Sequence, residues 1–264
     1  MHLPTKKLQK ARLLVQSNSD KKSVTLLDLQ QISGYLNFVA IMVPLGRTFL
    51  RRLYNMELYF PSSGRYQQRR LSSEARKDID WWWEALAGKP ERSILTRVRQ
   101  TISTWSDAAS KKGLGGYYTC ETHPLPQSDS VFAIVLPNNP TRQREHINTQ
   151  EMRAVEQVLL YWGRRWRGKR IQIHVDNRAV AYGLAKGTIR GASMRVLRRC
   201  LLLATEYDLE LEPQWISTRD NGLADALSCW DINRITDLAP QLLQDIYNLP
   251  NHGLQIYSSR DSLP

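Results

Sequence analysis

The chain has 264 residues, a hydrophobic content of 42% and a formal net charge of +12. This size allows one large domain, or a domain of about 150 residues with an accessory unit. The positive charge favours a polyanionic partner such as nucleic acid, although a generally solvated basic surface would give the same composition. A membrane partner is not indicated, because no run approaches the roughly 18 apolar residues of a membrane span.

The cysteine content indicates a reducing environment. Cys120, Cys200 and Cys229 are odd in number and far apart, and no Cys-x-x-Cys pair occurs. Neither a disulfide framework nor a zinc knuckle is therefore expected. Residues 1–25 contain no apolar core of the length that a secretory signal needs. An intracellular protein is expected, and the sequence does not distinguish nucleus from cytoplasm.

The first third of the chain has helical patterning. Residues 1–24 are polar and basic, which indicates a flexible lead-in. In residues 25–98, apolar residues recur at three- and four-residue steps, which predicts helices. The third of these helices begins near Ser72 and is expected to bury Trp82 and Trp83. This region is predicted to be a small helical unit, separate from the domain that follows.

Residues 99–232 alternate between strand-like and helix-like segments. Strands are predicted at ILTRVRQTISTWSD, YYTC and VFAIVL, with three glycines (Gly113, Gly115 and Gly116) turning the chain between the first two. A helix near Asn148, the strand IQIHVD, further helices, the strand LELEPQWI and a helix at LADALS follow. The prediction is an α/β fold with a mixed five-stranded sheet flanked by helices. Residues 233–264 have weak periodicity and are left as a C-terminal tail.

Four acidic residues stand at the ends of these predicted elements. Asp107 and Asp176 follow strand-like runs, whereas Glu151 and Asp225 lie in first turns of helices. These positions can gather four carboxylates at one edge of the sheet, where they would repel each other unless cations held them. Hard oxygen ligands suit Mg²⁺ or Mn²⁺, and a two-metal clamp is a common device for cutting phosphodiesters. The pattern therefore indicates a metal-dependent nuclease.

Each acidic residue also has an ordinary explanation when it is taken alone. Asp107 and Asp176 could be turn formers at strand ends. Glu151 follows Asn148 by three residues, the spacing of a capping box. Asp225 could act only on the dipole of its helix. The occurrence of all four acidic residues together favours a metal site over these separate explanations.

The ordered motifs TWSDAAS, IN-x₂-E, DN-x-A-V and N-x₂-ADALS resemble the RNase H domain of retroelement polyproteins of the gypsy and DIRS types. Upstream, TLLDLQQISGYLNFVAIMVPLGRTFLRRLY and LSSEARKDIDWWWEAL resemble the segment that connects a reverse transcriptase palm to RNase H. The resemblance covers about residues 24–232. No Y-x-D-D motif occurs, so no polymerase activity is expected from this chain alone. The chain looks like part of a longer polyprotein, or a gene derived from one.

The resemblance implies cleavage of the RNA strand of RNA–DNA hybrids with two Mg²⁺ ions, or Mn²⁺ in their place, and the 2′-hydroxyl selects the strand. The catalytic and metal-binding residues would be Asp107, Glu151, Asp176 and Asp225. Asp107 and Asp176 would contact both ions or bridge the scissile phosphate. Glu151 would hold the ion beside the leaving group, and Asp225 would complete the ion site beside the nucleophile. The chain departs from the family at Cys229, where relatives often carry an arginine that could meet a phosphate or a carboxylate. It also lacks a histidine-containing loop near the last strand.

A basic segment, WGRRWRGKR (162–170), interleaves two tryptophans with five cations. Such a mixture suits a groove that follows a nucleic-acid backbone. The predicted nucleic-acid-binding residues are Arg164, Arg165, Arg167, Lys169, Arg170 and Asn177. The alternative explanation is the solvated end of a helix, whose dipole favours cations there. A separate reverse transcriptase polymerase region is a further candidate partner.

Two other hypotheses remain open. A non-catalytic nucleic-acid-binding or scaffold protein derived from a retroelement is favoured by the departure at Cys229 and by the missing palm. The presence of all four carboxylates speaks against it. Another enzyme with an RNase H-like domain, such as a transposase or a junction resolvase, fits the upstream helical unit poorly.

Overall fold

The computed structural model describes residues 3–43, 45–61, 64–87, 98–109, 112–135 and 145–242. The chain divides into two units, Met1–Arg97 and Val98–Pro264. In these described ranges, no helix combines the length and the apolar character that crossing a membrane requires.

The first unit is built from helices around one apolar core. Its helices are α1 (Thr5–Ser19), α2 (Leu26–Val39), α3 (Arg51–Glu57) and α4 (Ser73–Ala85), and its short antiparallel strands are β1 (Ser23–Val24) and β2 (Arg69–Arg70). Helix α2 begins at a capping box, in which the Thr25 hydroxyl accepts from the Asp28 N–H and the Asp28 carboxylate accepts from the Thr25 N–H. Helix α4 begins where the sequence predicts, because the Ser72 hydroxyl caps it by accepting from the Ala75 N–H.

The expectation of a flexible lead-in over residues 1–24 is wrong for residues 5–19. They form α1, and Leu8, Ala11 and Val15 are buried in the core of the first unit. The Arg12 side chain also donates hydrogen bonds to main-chain carbonyls at the end of α4. This helix is not evident from the sequence because its apolar stripe, at three- and four-residue steps, is narrow. The polar residues around the stripe dominate the local composition.

The tryptophans of α4 do not all face the core. Trp82 is fully buried, and its indole N–H donates to the Phe49 carbonyl at 3.2 Å. Trp83, which was expected on the same buried face, is 44% exposed. Consecutive residues on a helix point about 100° apart, so only one of two neighbours can lie at the centre of a face.

The second unit is an α/β fold, which confirms the predicted fold class. Its strands are β3 (Thr101–Ala109), β4 (Gly113–Thr119), β5 (Val131–Val135), β6 (Arg170–Val175) and β7 (Glu210–Trp215). They form a five-stranded mixed sheet in the order β5-β4-β3-β6-β7. The pairs β5–β4 and β4–β3 are antiparallel, whereas β3–β6 and β6–β7 are parallel.

Within the described residues of this unit, five α-helices accompany the sheet: α5 (Ile147–Trp162), α6 (Arg178–Lys186), α7 (Ser193–Glu206), α8 (Gly222–Cys229) and α9 (Ile232–Leu238). Helix α9 lies almost entirely within the predicted C-terminal tail (233–264), and its Ile235 is buried together with Leu223 and Leu227 of α8. Residues 94–97 of the first predicted strand, residue 136 of VFAIVL and the tail after residue 242 lie outside the described residues.

Three local predictions in this unit are wrong. Gly113, Gly115 and Gly116 lie within β4 and not in a turn. Strand β3 continues two residues past Asp107, so that residue lies inside the strand. Helix α5 begins after His146, which occupies the N-cap position, so Asn148 does not cap it and the capping-box explanation of Glu151 fails.

Candidate metal centre

Strand register places two of the predicted carboxylates side by side. In the parallel pair β3–β6, Trp105 stands opposite His174. Asp107 and Asp176 each lie two residues beyond this matched pair, in the same chain direction. Since neighbouring parallel strands point the same way, the two aspartates reach the same edge of the sheet. Asp107 is buried, and Asp176 is partly exposed.

Helix α5 supplies a third carboxylate. Its buried face carries Glu151 on the same stripe as Val155 and Val158, as the sequence indicates. Glu151 is only 5% exposed. Its Oε2 atom is buried and has no hydrogen-bond partner within the described part of the chain. A buried carboxylate oxygen without a partner is costly unless a proton or a cation satisfies it.

One oxygen from each of Asp107, Glu151 and Asp176 lies within 4.8 Å of the other two. We call these three residues the carboxylate triad. Three hard oxygen donors at this separation fit a divalent cation such as Mg²⁺ or Mn²⁺. One of the three side chains, Glu151, also has a buried oxygen without a partner in the described part of the chain. The same three residues without a cation would have to take up protons to reduce their repulsion.

The electrostatics of the triad agree with this requirement. Burial raises the pKa of Glu151 to about 9, and the negative charges of Asp107 and Asp176 act in the same direction. Burial also raises the pKa of Asp107 to about 6, with repulsion from Asp176 and Asp225 adding to it. A hydrogen bond from Ser228 opposes the rise at Asp107. At neutral pH the cation-free site therefore holds a protonated Glu151.

Ser228 is a site residue that sequence reasoning missed. Its hydroxyl oxygen lies 2.5 Å from Asp107 Oδ2 and 2.9 Å from the Asp225 carbonyl, so its single proton serves one of them at a time. Helix α8 reaches this position because β4 carries Gly115 opposite Asp107. A Cβ at Gly115 would lie 2.3 Å from the Ser228 nitrogen, which is too close.

Asp225, the fourth predicted ligand, lies beside the triad and not within it. Its charge contributes to the raised pKa values of both Asp107 and Glu151, so it is near them. Its Oδ2 atom, however, is ion-paired with Arg234 Nη1 of α9, and its Oδ1 atom lies 3.9 Å from Cys229 Sγ. The structure thus brings three predicted ligands together and holds the fourth on an arginine.

Arg234 was also missed by sequence reasoning, which noted only that Cys229 stands where relatives often carry an arginine. The guanidinium comes from the next helix. Nothing in the local spacing of ADALSCW points to it, because its approach depends on how α9 packs on α8.

Asn177 has a structural role at this edge. It is the N-cap of α6, and its Oδ1 accepts from the N–H groups of Ala179 (3.0 Å) and Val180 (3.2 Å). Its amide nitrogen donates to Asn148 Oδ1 at 3.0 Å. Asn177 therefore ties the start of α6 to the start of α5, next to the triad.

The segment WGRRWRGKR lies away from the triad. It ends at Arg170, where β6 begins, whereas Asp176 follows the other end of β6. Six strand residues span roughly 20 Å. Arg165 pairs with Asp129 at 3.0 Å, and Arg170 pairs with Glu210 at 3.4 Å.

The aromatic part of that prediction is wrong. Trp162 and Trp166 are 7% and 2% exposed, and both pack edge-on against Tyr118 in the interior. They are not available to stack on nucleic-acid bases. Alternation of tryptophan with arginine in the sequence reflects the boundary between the core and solvent at the end of α5.

A cation–aromatic pair lies much closer to the triad. The Trp215 indole N–H donates to the Asp176 carbonyl at 2.9 Å, and the ring is 46% exposed. The Arg178 guanidinium lies 4.3 Å from the centre of that ring. Such a pair can contact an anionic strand that approaches the carboxylates. In the sequence, this pair is indicated by Arg178, a cation two residues after Asp176.

Comparisons with known proteins show distant structural similarity only. No protein-family model matches the sequence, and no curated protein is significantly similar to it. The N-terminal RNase H domain of a Mycobacterium tuberculosis protein has 15% identity and a TM-score of 0.38, covering 49% of this chain and 95% of that one. RNase H1 from the archaeon Halobacterium salinarum has 16% identity and a TM-score of 0.38, covering 50% and 98%.

A foamy viral protease-reverse transcriptase in complex with an RNA/DNA hybrid has 14% identity and a TM-score of 0.30, covering 99% of this chain and 30% of that one. Because all three TM-scores are below 0.5, these similarities add nothing to the chemistry that the strand order and the triad define. The class of protein follows from that geometry: an α/β domain with a carboxylate site able to hold a divalent cation.

Proposed function

We propose that the second unit is a metal-dependent nuclease of the RNase H type, which cuts the RNA strand of RNA–DNA hybrids by a two-metal mechanism. The observation that carries the proposal is the triad itself: Asp107 lies near the carboxyl end of β3, Asp176 directly follows β6, and Glu151 lies near the start of α5. The ordered motifs of the sequence support a retroelement of the gypsy or DIRS type as the origin. They also support residues 25–98 as a connection segment and residues 99–232 as the RNase H-like domain.

The residues have separable tasks in such a reaction. Divalent ions, when bound, would lower the pKa of an attacking water and stabilise the departing 3′ oxygen. Asp107 is held in place by Ser228 and by its position inside β3. Glu151 presents an unpartnered oxygen from a rigid helix. Asp176 is the most exposed of the three and therefore the one a phosphate group would approach first.

The choice of nucleic acid as substrate is supported by where the cations lie. Arg178 and Trp215 flank Asp176, so an approaching strand would meet a positive charge and an exposed ring beside the carboxylates. These contacts can offset the repulsion between the triad and the phosphates. They would also position the strand for attack.

A cleavage assay tests the proposal. Purified protein should cut the RNA strand of a labelled hybrid in Mg²⁺ and stop when EDTA is added. A DNA duplex of the same sequence should remain intact, because it lacks the 2′-hydroxyl. Protein that binds the hybrid but cuts nothing in Mg²⁺ or Mn²⁺ would support the scaffold alternative, which the pairing of Asp225 with Arg234 favours.

The first unit carries most of the net positive charge of the chain. Residues 1–97 contain 17 of the 37 lysines and arginines but only 8 of the 25 acidic residues, giving +9 of the total +12. Arg69, Arg70 and Tyr59 line a cavity of about 460 Å³ there. Within the described part of the chain, no ion pair involves Arg69 or Arg70. We propose that this surface is the main contact to the nucleic-acid backbone.

Substitution of both arginines (Arg69→Ala with Arg70→Ala) should therefore weaken hybrid binding and flatten its salt dependence. The expected decrease in the slope of log K against log salt is roughly 0.7–0.9 per lost phosphate contact. Binding is measured by fluorescence anisotropy in EDTA, over a range of salt concentrations. The comparison variant, Arg164→Ala with Arg167→Ala, removes the same charge from WGRRWRGKR. A larger loss in this second variant would show that the sequence-based prediction names the binding surface correctly.

A further inference from the structure

The two carboxylate oxygens of Asp225 are both occupied by groups of this chain. Arg234 Nη1 is ion-paired with Oδ2, and Cys229 Sγ lies 3.9 Å from Oδ1. The thiol is a weak donor, so the guanidinium is the stronger partner. Each oxygen of Asp225 therefore already has a partner, although the charge of Asp225 is felt at the triad.

Arg234 is held in this position by the packing of its helix. Asp231 caps α9 by accepting from the Arg234 N–H at 3.1 Å. The next residue, Ile235, is 1% exposed and belongs to the apolar cluster that α9 shares with α8. The guanidinium therefore leaves a fixed helix start and reaches Asp225 across a short gap.

An arginine differs from a divalent ion in one decisive way. Its charge is permanent and covalently attached, so it is present at every metal concentration. It neutralises one carboxylate beside a cluster of three others. A second divalent ion that needs an oxygen of Asp225 must first break this ion pair.

We infer that Arg234 is an internal counter-cation that competes with the second divalent ion for Asp225. The triad alone then binds one ion tightly, and the second ion enters only when Arg234 releases Asp225. This inference rests on the proposed function and adds a positioning residue that sets the occupancy of the two ion sites.

Titration of the metal-free full-length chain with Mn²⁺, without nucleic acid, tests the inference. Isothermal titration calorimetry should give one tight and one weak ion for the wild type. Arg234→Gln should increase the affinity for the second ion by about two- to fivefold, the range expected for loss of a partly exposed ion pair. The affinity for the first ion should change much less, because within the described residues the side chain of Arg234 is paired with Asp225 and not with the triad.

Three further variants separate competition from a structural effect. Arg234→Lys retains the charge and should stay close to the wild type. Arg219→Gln removes one exposed cation from the loop before α8 and should leave both ions unchanged. In the background of Asp225→Asn, Arg234→Gln should no longer change the affinity for the second ion, because the carboxylate for which the arginine and the ion compete is absent.

Equal ion affinities in the wild type and in Arg234→Gln would overturn the inference while leaving the proposed nuclease intact. The same holds if Arg234→Gln acts equally in the Asp225→Asn background. A wild type that binds no Mn²⁺ at millimolar concentration would overturn both the inference and the proposed function.

Discussion

Asp176→Asn should abolish cleavage of the hybrid while leaving hybrid binding intact or slightly tighter. The substitution removes one of three negative charges that would hold a cation, and it keeps the size of the side chain. The main-chain carbonyl that accepts from Trp215 is unaffected, so the local fold should persist. Loss of a cation contact worth several kcal/mol corresponds to a decrease in rate of about 10³-fold or more. Binding can tighten because one source of repulsion toward phosphate is removed.

The rate is measured as single-turnover cleavage of the RNA strand, and binding is measured separately in EDTA. Asp237→Asn is the control, because it makes the same chemical change at an exposed position of α9. It should cut at the wild-type rate. Cutting that survives Asp176→Asn would mean that the triad is not the reaction site.

The metal-free protein should lose stability as pH rises from about 5 to 9. Burial raises the pKa of Glu151 from its ordinary 4.5 to about 9, and that of Asp107 from 3.8 to about 6. Between the ordinary and the raised pKa values, the folded chain binds more protons than the unfolded chain. Stability is therefore fully present below the ordinary pKa values and decreases as pH passes through the raised ones.

Glu151→Gln should remove most of this pH dependence, because glutamine remains neutral throughout. At pH 9 the metal-free variant should melt at a higher temperature than the metal-free wild type, by about 5 °C or more. The wild type should regain stability when Mg²⁺ is added, and the variant should respond much less.

Thermal unfolding followed by circular dichroism at several pH values, with EDTA or Mg²⁺, provides the measurement. Glu206→Gln, an exposed glutamate at the end of α7, is the control and should retain the wild-type pH profile. A wild-type melting temperature that is constant from pH 5 to 9 would show that Glu151 is not held in a desolvated, charge-crowded position.

The sequence by itself determined the elements whose signals are local. Ser72 caps α4 and Thr25 opens α2, because a side chain can satisfy a helix N–H only a few residues away. Strand β6 is recognisable because its apolar residues alternate and are buried in alternation. The narrow stripe of α1 was overlooked because its polar neighbours dominate any local average. The exposed Trp83 shows that hydrophobic character alone does not identify the centre of a helix face.

Tertiary structure alone decided how the site is assembled. The sequence named Asp107, Glu151, Asp176 and Asp225, but only the register of β3 with β6 and the packing of α5 bring three of them within 4.8 Å. The contact of Ser228 with Asp107 joins residues 121 positions apart and requires the missing Cβ of Gly115.

The roles of the cations were decided in the same way. Trp162 and Trp166 read as an aromatic–basic surface, yet they fill the core, while Arg234 reaches Asp225 from another helix. Short-range patterns fix which residues form a helix or a strand, since those hydrogen bonds close within a few residues. Which charges meet depends on the packing of elements that are distant in the chain, and no local pattern encodes it.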